Sequence, residues 1–311
     1  DFSIADRVAL VSGSNGGIGL EMALALVEAG ARAVYCVDLP AEPSDTWRKV
    51  QKYASQLEDK AGEGRMEYVS GDVTNQGLMW KIGKDIGDKE GRLDVCVAAA
   101  GIIKDDVDCL EYPAERYKQV LNVNTNGVLY TAQAAGRQMV RFGNGGSIIL
   151  VASIAGRIAI QNMGQVAYNT SKGAVLQMTR SMACELAPRG IRVNSISPGW
   201  TYTRLTEAMI KADPPYFKRL TPMQRVGRPY ELRGATAWLA SDASSFCTGS
   251  EYVVRSCFTT CVDEMLASLL TAEFGHGSFQ FWQGTFRWIS KSSRESVGCF
   301  VAFQISTPTN L

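Results

Sequence analysis

Tyr168 and Lys172 stand four positions apart in the run Tyr168-Asn169-Thr170-Ser171-Lys172, and Ser153 lies 15 residues before the tyrosine. On a helix, residues i and i+4 share one face with their Cβ atoms about 5–6 Å apart, so phenol and ammonium point into the same space. A positive charge about 4 Å from a phenolate, at an effective dielectric near ~20, contributes about 4 kcal/mol, or roughly three pK units. A phenol that ordinarily titrates near ~10 then titrates close to neutrality, where a general acid or base works best. Ordinary helices also carry such pairs, as a half-buried ring beside a solvated lysine. The rest of the chain decides between the two readings.

Composition narrows the chemistry. The single histidine, His276, sits near the far end of 311 residues. This excludes a Ser-His-Asp hydrolase, a His-ligated metal centre or a His proton shuttle from the first 254 residues, leaving acid-base work to Tyr, Lys, Asp, Glu or Cys. Eight cysteines are scattered singly without a CxxC pair, which argues against zinc and a dense disulfide framework and fits a reducing, cytoplasmic compartment. Cys257, Cys261 and His276 are irregularly spaced and lack a fourth partner, so no metal site is expected. The balance of 32 basic against 31 acidic residues offers no footprint for nucleic acid or an anionic membrane. No apolar run reaches the ~18 residues of a membrane span, and Asp1-Phe2-Ser3-Ile4 does not read as a leader.

From Arg7 to Val254, short β-branched runs alternate with longer helical patterns, the signature of βα units around a parallel sheet. The strand candidates are Val8 to Ser12, Ala33 to Asp38, Met66 to Ser70, Leu93 to Ala98, Ser147 to Ala152, Arg192 to Ser197 and Glu251 to Val254. Helical patterns cover Gly17 to Ala29, Asp45 to Lys60, Gly77 to Lys89, Ala114 to Arg141, Gln165 to Leu186 and Tyr230 to Ser241. The expected fold is α/β: a doubly wound, seven-stranded parallel Rossmann sheet with helices on both faces, binding ligands beyond the carboxyl ends of its strands. The proline-rich gap from Pro198 to Pro229 reads as a loop or lid over that site.

Directly after the first strand comes Ser12-Gly13-Ser14-Asn15-Gly16-Gly17-Ile18-Gly19, with a helix following at once. Glycines there permit a tight turn and let backbone N–H groups and the helix N-terminus approach a pyrophosphate. Asp38 ends the second strand 19 residues past Gly19, where a carboxylate accepts hydrogen bonds from an adenosine ribose. That carboxylate repels a 2′-phosphate, and Ser14, Asn15 and Leu39 offer no cation to hold one. The expected cofactor is NAD, with NADP the less favoured.

The glycine turn, Asp38, Asp72-Val73, Ala98-Ala99-Ala100-Gly101, Asn124, Ser153, Tyr168, Lys172 and Pro198-Gly199 occur in order and spacing that resemble the short-chain dehydrogenase/reductase family. The resemblance covers residues 5–254 and implies an NAD(P)-dependent oxidoreductase acting on a small-molecule alcohol or ketone. It implies that Tyr168 is the catalytic acid/base, that Lys172 lowers its pKa and holds the nicotinamide ribose, and that Ser153 bonds the substrate oxygen. Asn124 would support a water and proton relay to the lysine. Asp72 and Val73 would contact the adenine, and Ala100 and Gly101 would flank the ribose. Pro198, Gly199, Thr201 and Thr203 would meet the nicotinamide amide and the phosphates. Ser12 stands where the family usually has threonine, and Ala98 and Ala99 replace paired asparagines.

In look the chain is similar to fungal polyol and ketose reductases of this family, so a sugar alcohol and its ketose are the expected substrates. Gln161, Asn162 and Gln165 would add amide donors near them. Family members commonly form homodimers or homotetramers. The rival reading is a nucleotide-binding regulator that senses NAD/NADH without turnover, disfavoured because a sensor has no need of an activated phenol. The resemblance stops at Val254, giving residues 1–254 as the dinucleotide-binding and catalytic domain and 255–311 as an atypical tail. The break inside a family motif reads as a replaced ending, through a splice or gene-model difference, rather than an added module. Within the tail, Val262 to Phe274 reads as a helix, followed by an aromatic alternation at Phe279, Phe281, Trp282, Phe286 and Trp288.

Overall fold

Strands buried on both faces must be apolar at almost every position, and the β-branched runs supply such strands. They are β1 (Val8–Ser12), β2 (Ala33–Asp38), β3 (Arg65–Ser70), β4 (Val95–Ala98), β5 (Gly146–Val151), β6 (Ile191–Pro198) and β7 (Glu251–Val254). All seven pair in parallel in the order β3-β2-β1-β4-β5-β6-β7. The strand order reverses between β1 and β4, and the crevice beyond their carboxyl ends is the ligand position of such sheets. The computed structural model describes residues 1–57, 64–104, 107–159 and 163–256, together with the backbone of 278–282 and 285–289.

Alternate residues of each strand point to opposite faces, so the sheet feeds two cores. On one face Leu10, Cys96, Leu150 and Val193 pack with Met79, Met139 and Val175. On the other, Val11, Val97, Ile149 and Ile196 pack with Leu26, Leu239 and Ala240. The helices are α1 (Gly17–Glu28), α2 (Asp45–Ala54), α3 (Gln76–Glu90), α4 (Ala114–Leu121), α5 (Val128–Phe142) and α6 (Val166–Leu186), followed by α7 (Glu207–Ala212), α8 (Pro214–Arg219) and α9 (Arg233–Ala240).

Three expectations need revision. The helix expected from Asp45 to Lys60 ends at Ala54, with Ser55 as its C-cap. The helix expected without interruption from Ala114 to Arg141 contains a π-helical segment, Asn122–Gly127, between α4 and α5. The lid from Pro198 to Pro229 holds α7 and α8; Asp213 caps α8 through Tyr216 N–H at 2.9 Å, and two prolines occupy the first turn of α8.

The chain divides into two units, Asp1–Phe258 and Thr259–Leu311. In the second, β8 (Ser278–Trp282) and β9 (Thr285–Ile289) form an antiparallel hairpin in which Phe279 is in register with Trp288 and Phe281 with Phe286. The expected helix from Val262 to Phe274, and Cys257, Cys261 and His276, lie outside the described residues.

Candidate active site

The glycine turn is shaped by the close approach of two backbones. Gly13 adopts a φ of 67°, and a Cβ there would lie 2.6 Å from the Ala100 backbone. A Cβ on Gly19 would sit 2.2 Å from the carbonyl oxygen of Gly13. No side chain caps the N-terminus of α1, so its first N–H groups remain available to an anion. Asp38 accepts from the N–H groups of Asn15 at 2.9 Å and Leu39 at 2.8 Å, tying the end of β2 to the turn. Asn15 is also a strut: its Oδ1 accepts from Ser44 N–H at 2.6 Å and its carbonyl from Ser44 Oγ at 2.7 Å. Ser44 in turn caps α2 through Trp47 N–H. Sequence reading missed this link because its partners lie 29 residues apart.

Lys172 and Tyr168 lie on α6 and face the carboxyl end of β5. The lysine is only 4% exposed; its Nζ donates to the Val151 carbonyl at 2.8 Å and stands 5.7 Å from the centroid of the Tyr168 ring. The ammonium is thus anchored on the sheet rather than on the tyrosine alone. Burial disfavours its charged form and pulls its pKa from 10.5 to about 8.

Ser153 follows β5 and begins a short 3₁₀ turn, Ile154–Gly156. Its Oγ accepts from Ala155 N–H at 3.1 Å, an interaction that leaves the hydroxyl proton to donate. A Cβ on Gly156 would lie 2.7 Å from the Lys172 carbonyl, so glycine lets this turn press against α6 and sets Ser153 beside the Tyr168–Lys172 face.

Asn124 lies fully buried in the π-helical segment, a distortion found frequently at functional sites. Its Oδ1 accepts from Ile102 N–H at 2.8 Å, and its Nδ2 donates to the Ile102 carbonyl at 2.9 Å and to Ser171 Oγ at 3.1 Å. Ser171 Oγ donates to the Tyr168 carbonyl at 2.7 Å. Gly101 lies between these groups: a Cβ there would be 3.4 Å from Asn124 Oδ1 and 3.7 Å from Lys172 Nζ.

Of the catalytic and cofactor-binding residues expected from sequence, all but Asp72, Val73, Ala100 and Asn124 line one cleft. Ala99 lines it in place of Ala100. Asp72 shapes a turn instead, accepting from Thr74 N–H and Oγ1, both at 2.8 Å. Val73 is buried, and a Cβ on Gly127 would lie 2.7 Å from its side chain. Pro40, Ser44, Thr46, Arg204 and Thr206 also line the cleft and were not singled out for the cofactor. Gln161 and Asn162 lie outside the described residues. Gln165 is buried, with its amide reaching Met209 Sδ in the lid at 4.0 Å.

The lid begins as a braced turn. Thr206 Oγ1 donates to the Thr201 carbonyl at 2.6 Å and accepts from Thr203 N–H at 3.0 Å. Trp200 and Phe217 meet edge to face at 4.7 Å. Among the described residues no group of His, Cys, Asp and Glu is arranged to hold a metal ion, and no helix is long and apolar enough to cross a membrane.

A parallel sheet with a glycine turn at its switch point, and a Ser-Tyr-Lys set at the ends of β5 and α6, defines a dinucleotide-dependent oxidoreductase. Residues 13–259 match the family described as Enoyl-(Acyl carrier protein) reductase. The sorbose reductase of Schizosaccharomyces pombe is 36% identical over 253 residues, covering 81% of this chain and 96% of that protein. A galactitol 2-dehydrogenase (L-tagatose-forming) of Cereibacter sphaeroides is 33% identical over 261 residues, covering 83% and 97%. The crystal structure of a short-chain type dehydrogenase/reductase from Mycobacterium marinum superposes with a TM-score of 0.76 at 36% identity, covering 83% of this chain and 97% of that one. The chain belongs to the short-chain dehydrogenase/reductase family. It is an NAD(P)-dependent oxidoreductase that moves a hydride between a nicotinamide cofactor and a secondary alcohol or ketone.

Proposed function

We propose that this chain interconverts a sugar alcohol and its ketose with NAD as the preferred cofactor. Residues 1–254 carry both the dinucleotide and catalytic sites, and residues 255–311 form an atypical tail. The convergence of Ser153, Tyr168, Lys172, the glycine turn and Asp38 on one cleft is the observation that carries this proposal.

The cleft fits a nicotinamide dinucleotide: Gly13 and Gly19 leave no room for a Cβ, and the N-terminus of α1 is free of side-chain caps. Gly13, Asn15, Gly17, Ile18 and Gly19 would hold the pyrophosphate and Asp38 the adenosine ribose. Gly101, Tyr168 and Lys172 would hold the second ribose, and Pro198, Gly199, Thr201 and Thr203 the nicotinamide end. When bound, the nicotinamide gives or accepts the hydride.

Tyr168 takes the hydroxyl proton in oxidation and returns it to the carbonyl oxygen in reduction. The Lys172 charge favours the phenolate, and the Ser153 O–H donates to the substrate oxygen, a contribution of about 3–4 kcal/mol for such donors. Asn124 supports the proton path to Lys172 from its braced position beside Gly101. The preference for NAD rests on Asp38, whose carboxylate repels a 2′-phosphate while Ser14, Asn15 and Leu39 supply no cation.

The polyol and ketose substrates of the sorbose reductase and the galactitol dehydrogenase support the substrate class. So does the amide that Gln165 brings near the lid, since a buried substrate hydroxyl left unpaired costs about 1–3 kcal/mol. A homodimer or homotetramer is supported by the groove along α3, α5 and α6, where Trp80, Leu129, Val140 and Met182 are accessible. The singly spaced cysteines suit the cytoplasm.

A panel of polyols and ketoses, followed by the absorbance of reduced nicotinamide with NAD(H) and NADP(H), tests the proposal. Turnover of a polyol–ketose pair with NAD(H), abolished in Tyr168→Phe while NADH still binds, is expected. Dinucleotide binding without turnover on any member of the panel, or undiminished turnover in Tyr168→Phe, would overturn it.

A further inference from the structure

The charged side chains lining the cleft are Asp38, Lys172 and Arg204 among the described residues. Two of the three are already committed. Asp38 accepts from two backbone N–H groups. Lys172 is buried, with its Nζ on the Val151 carbonyl beside the Tyr168 ring. Arg204 is exposed and makes no hydrogen bond or ion pair within the described residues.

We infer that Arg204 is the lid's counter-charge to the dinucleotide pyrophosphate, an inference that rests on the dinucleotide reading above. The backbone places it there. Thr203, the residue before it, approaches the glycine turn closely enough that a Cβ on Gly17 would lie 3.8 Å from the Thr203 side chain. Gly17 opens α1, so Arg204 extends from a point beside the helix N-terminus that receives a phosphate.

The arginine also rides on a firm base. Besides the Thr206 bonds to Thr201 and Thr203, Glu207 N–H donates to the Thr203 carbonyl at 2.8 Å, and Thr201 bridges to Gly227. A pyrophosphate carries two negative charges, whereas a helix N-terminus supplies only about half a positive charge. A guanidinium offers the missing charge and the two-pronged geometry that phosphate oxygens accept. The same contact would draw the start of the lid over the cofactor.

The pyrophosphate is common to NAD and NADP, whereas a 2′-phosphate belongs to NADP alone, and this separates the two phosphate sources. The experiment measures dissociation constants of NADH and NADPH by fluorescence titration of the full chain, for wild type, Arg204→Gln and Arg204→Lys. Because Arg204 is exposed and unpartnered within the described residues, both variants should fold as the wild type does. Expected is a loss of about tenfold or more for NADH and NADPH alike in Arg204→Gln, the scale of one charge-assisted hydrogen bond. Arg204→Lys should be intermediate, and the wild-type advantage should shrink as salt is raised.

Unchanged affinity for both dinucleotides in Arg204→Gln overturns the inference while leaving the dinucleotide reading intact. A loss confined to NADPH assigns Arg204 to the 2′-phosphate and overturns the pyrophosphate contact. An increase only in the KM of the alcohol or ketone makes it a substrate residue and overturns it as well. A wild-type chain that binds neither dinucleotide overturns the function reading and this inference together.

Discussion

Replacing Lys172 by methionine should make the dinucleotide-free protein more stable near neutral pH while destroying its activity. The ammonium is 4% exposed, and burial pulls its pKa from 10.5 to about 8. That displacement corresponds to about 3 kcal/mol of folding free energy spent in keeping the charge inside. The sign follows from proton counting: between about pH 8 and about pH 10.5 the unfolded chain holds the proton more tightly than the native one, so stability rises with pH across that window. Below about 8 the penalty is present in full; towards 10.5 it disappears.

Against this gain stands the lost bond from Nζ to the Val151 carbonyl, about 1 kcal/mol. The methionine should therefore gain about 2 kcal/mol, or roughly 4–8 °C in Tm for a unit of this size. Urea unfolding followed by circular dichroism, at about pH 6.5 and about pH 10, would measure both the gain and its decline. A variant no more stable than wild type at the lower pH, or one whose advantage persists undiminished at the higher, refutes the assignment of a costly buried charge. A charge held at such expense in a cleft is the usual mark of a functional group.

Three further outcomes follow from the geometry. Gly19→Ala should abolish dinucleotide binding and lower Tm, since its Cβ would press on a backbone carbonyl only 2.2 Å away; undiminished binding by calorimetry would contradict the tight turn. Asn124→Ala should cost about 2–3 kcal/mol in urea unfolding, because it leaves both Ile102 backbone groups without their partner; a change within experimental error would show that bracing to be dispensable. Asp38→Ser should raise the ratio of NADP to NAD in kcat/KM by about tenfold or more, the effect of one removed like-charge repulsion. A ratio that stays the same would place the cofactor discrimination elsewhere.

The sheet was legible because strands enclosed on both faces have to be apolar throughout, and β1, β2 and β7 occupy the expected spans. The π-helical segment was not. Its anchor, Asn124, bonds to Ile102 across 22 residues, and no local pattern records that pairing. Helix α8 was hidden by its prolines, which read as loop although Asp213 followed by Pro214-Pro215 is a helix start. Arg204 illustrates the same limit: in sequence it is one residue of a proline-rich lid, while the approach of Thr203 to Gly17 sets it beside the glycine turn.

The expected chemistry was readable along the chain, since a tyrosine and a lysine four apart on one helix, a glycine turn after a strand and an acidic residue ending the next strand depend on local spacing. How those groups are tuned depends on the folded arrangement. Only burial beneath β5 lowers the Lys172 pKa to about 8. Only the closeness of Gly156 to α6 sets Ser153 beside that pair. Desolvation and close packing are properties of groups brought together from distant parts of the chain, and linear spacing carries no measure of either.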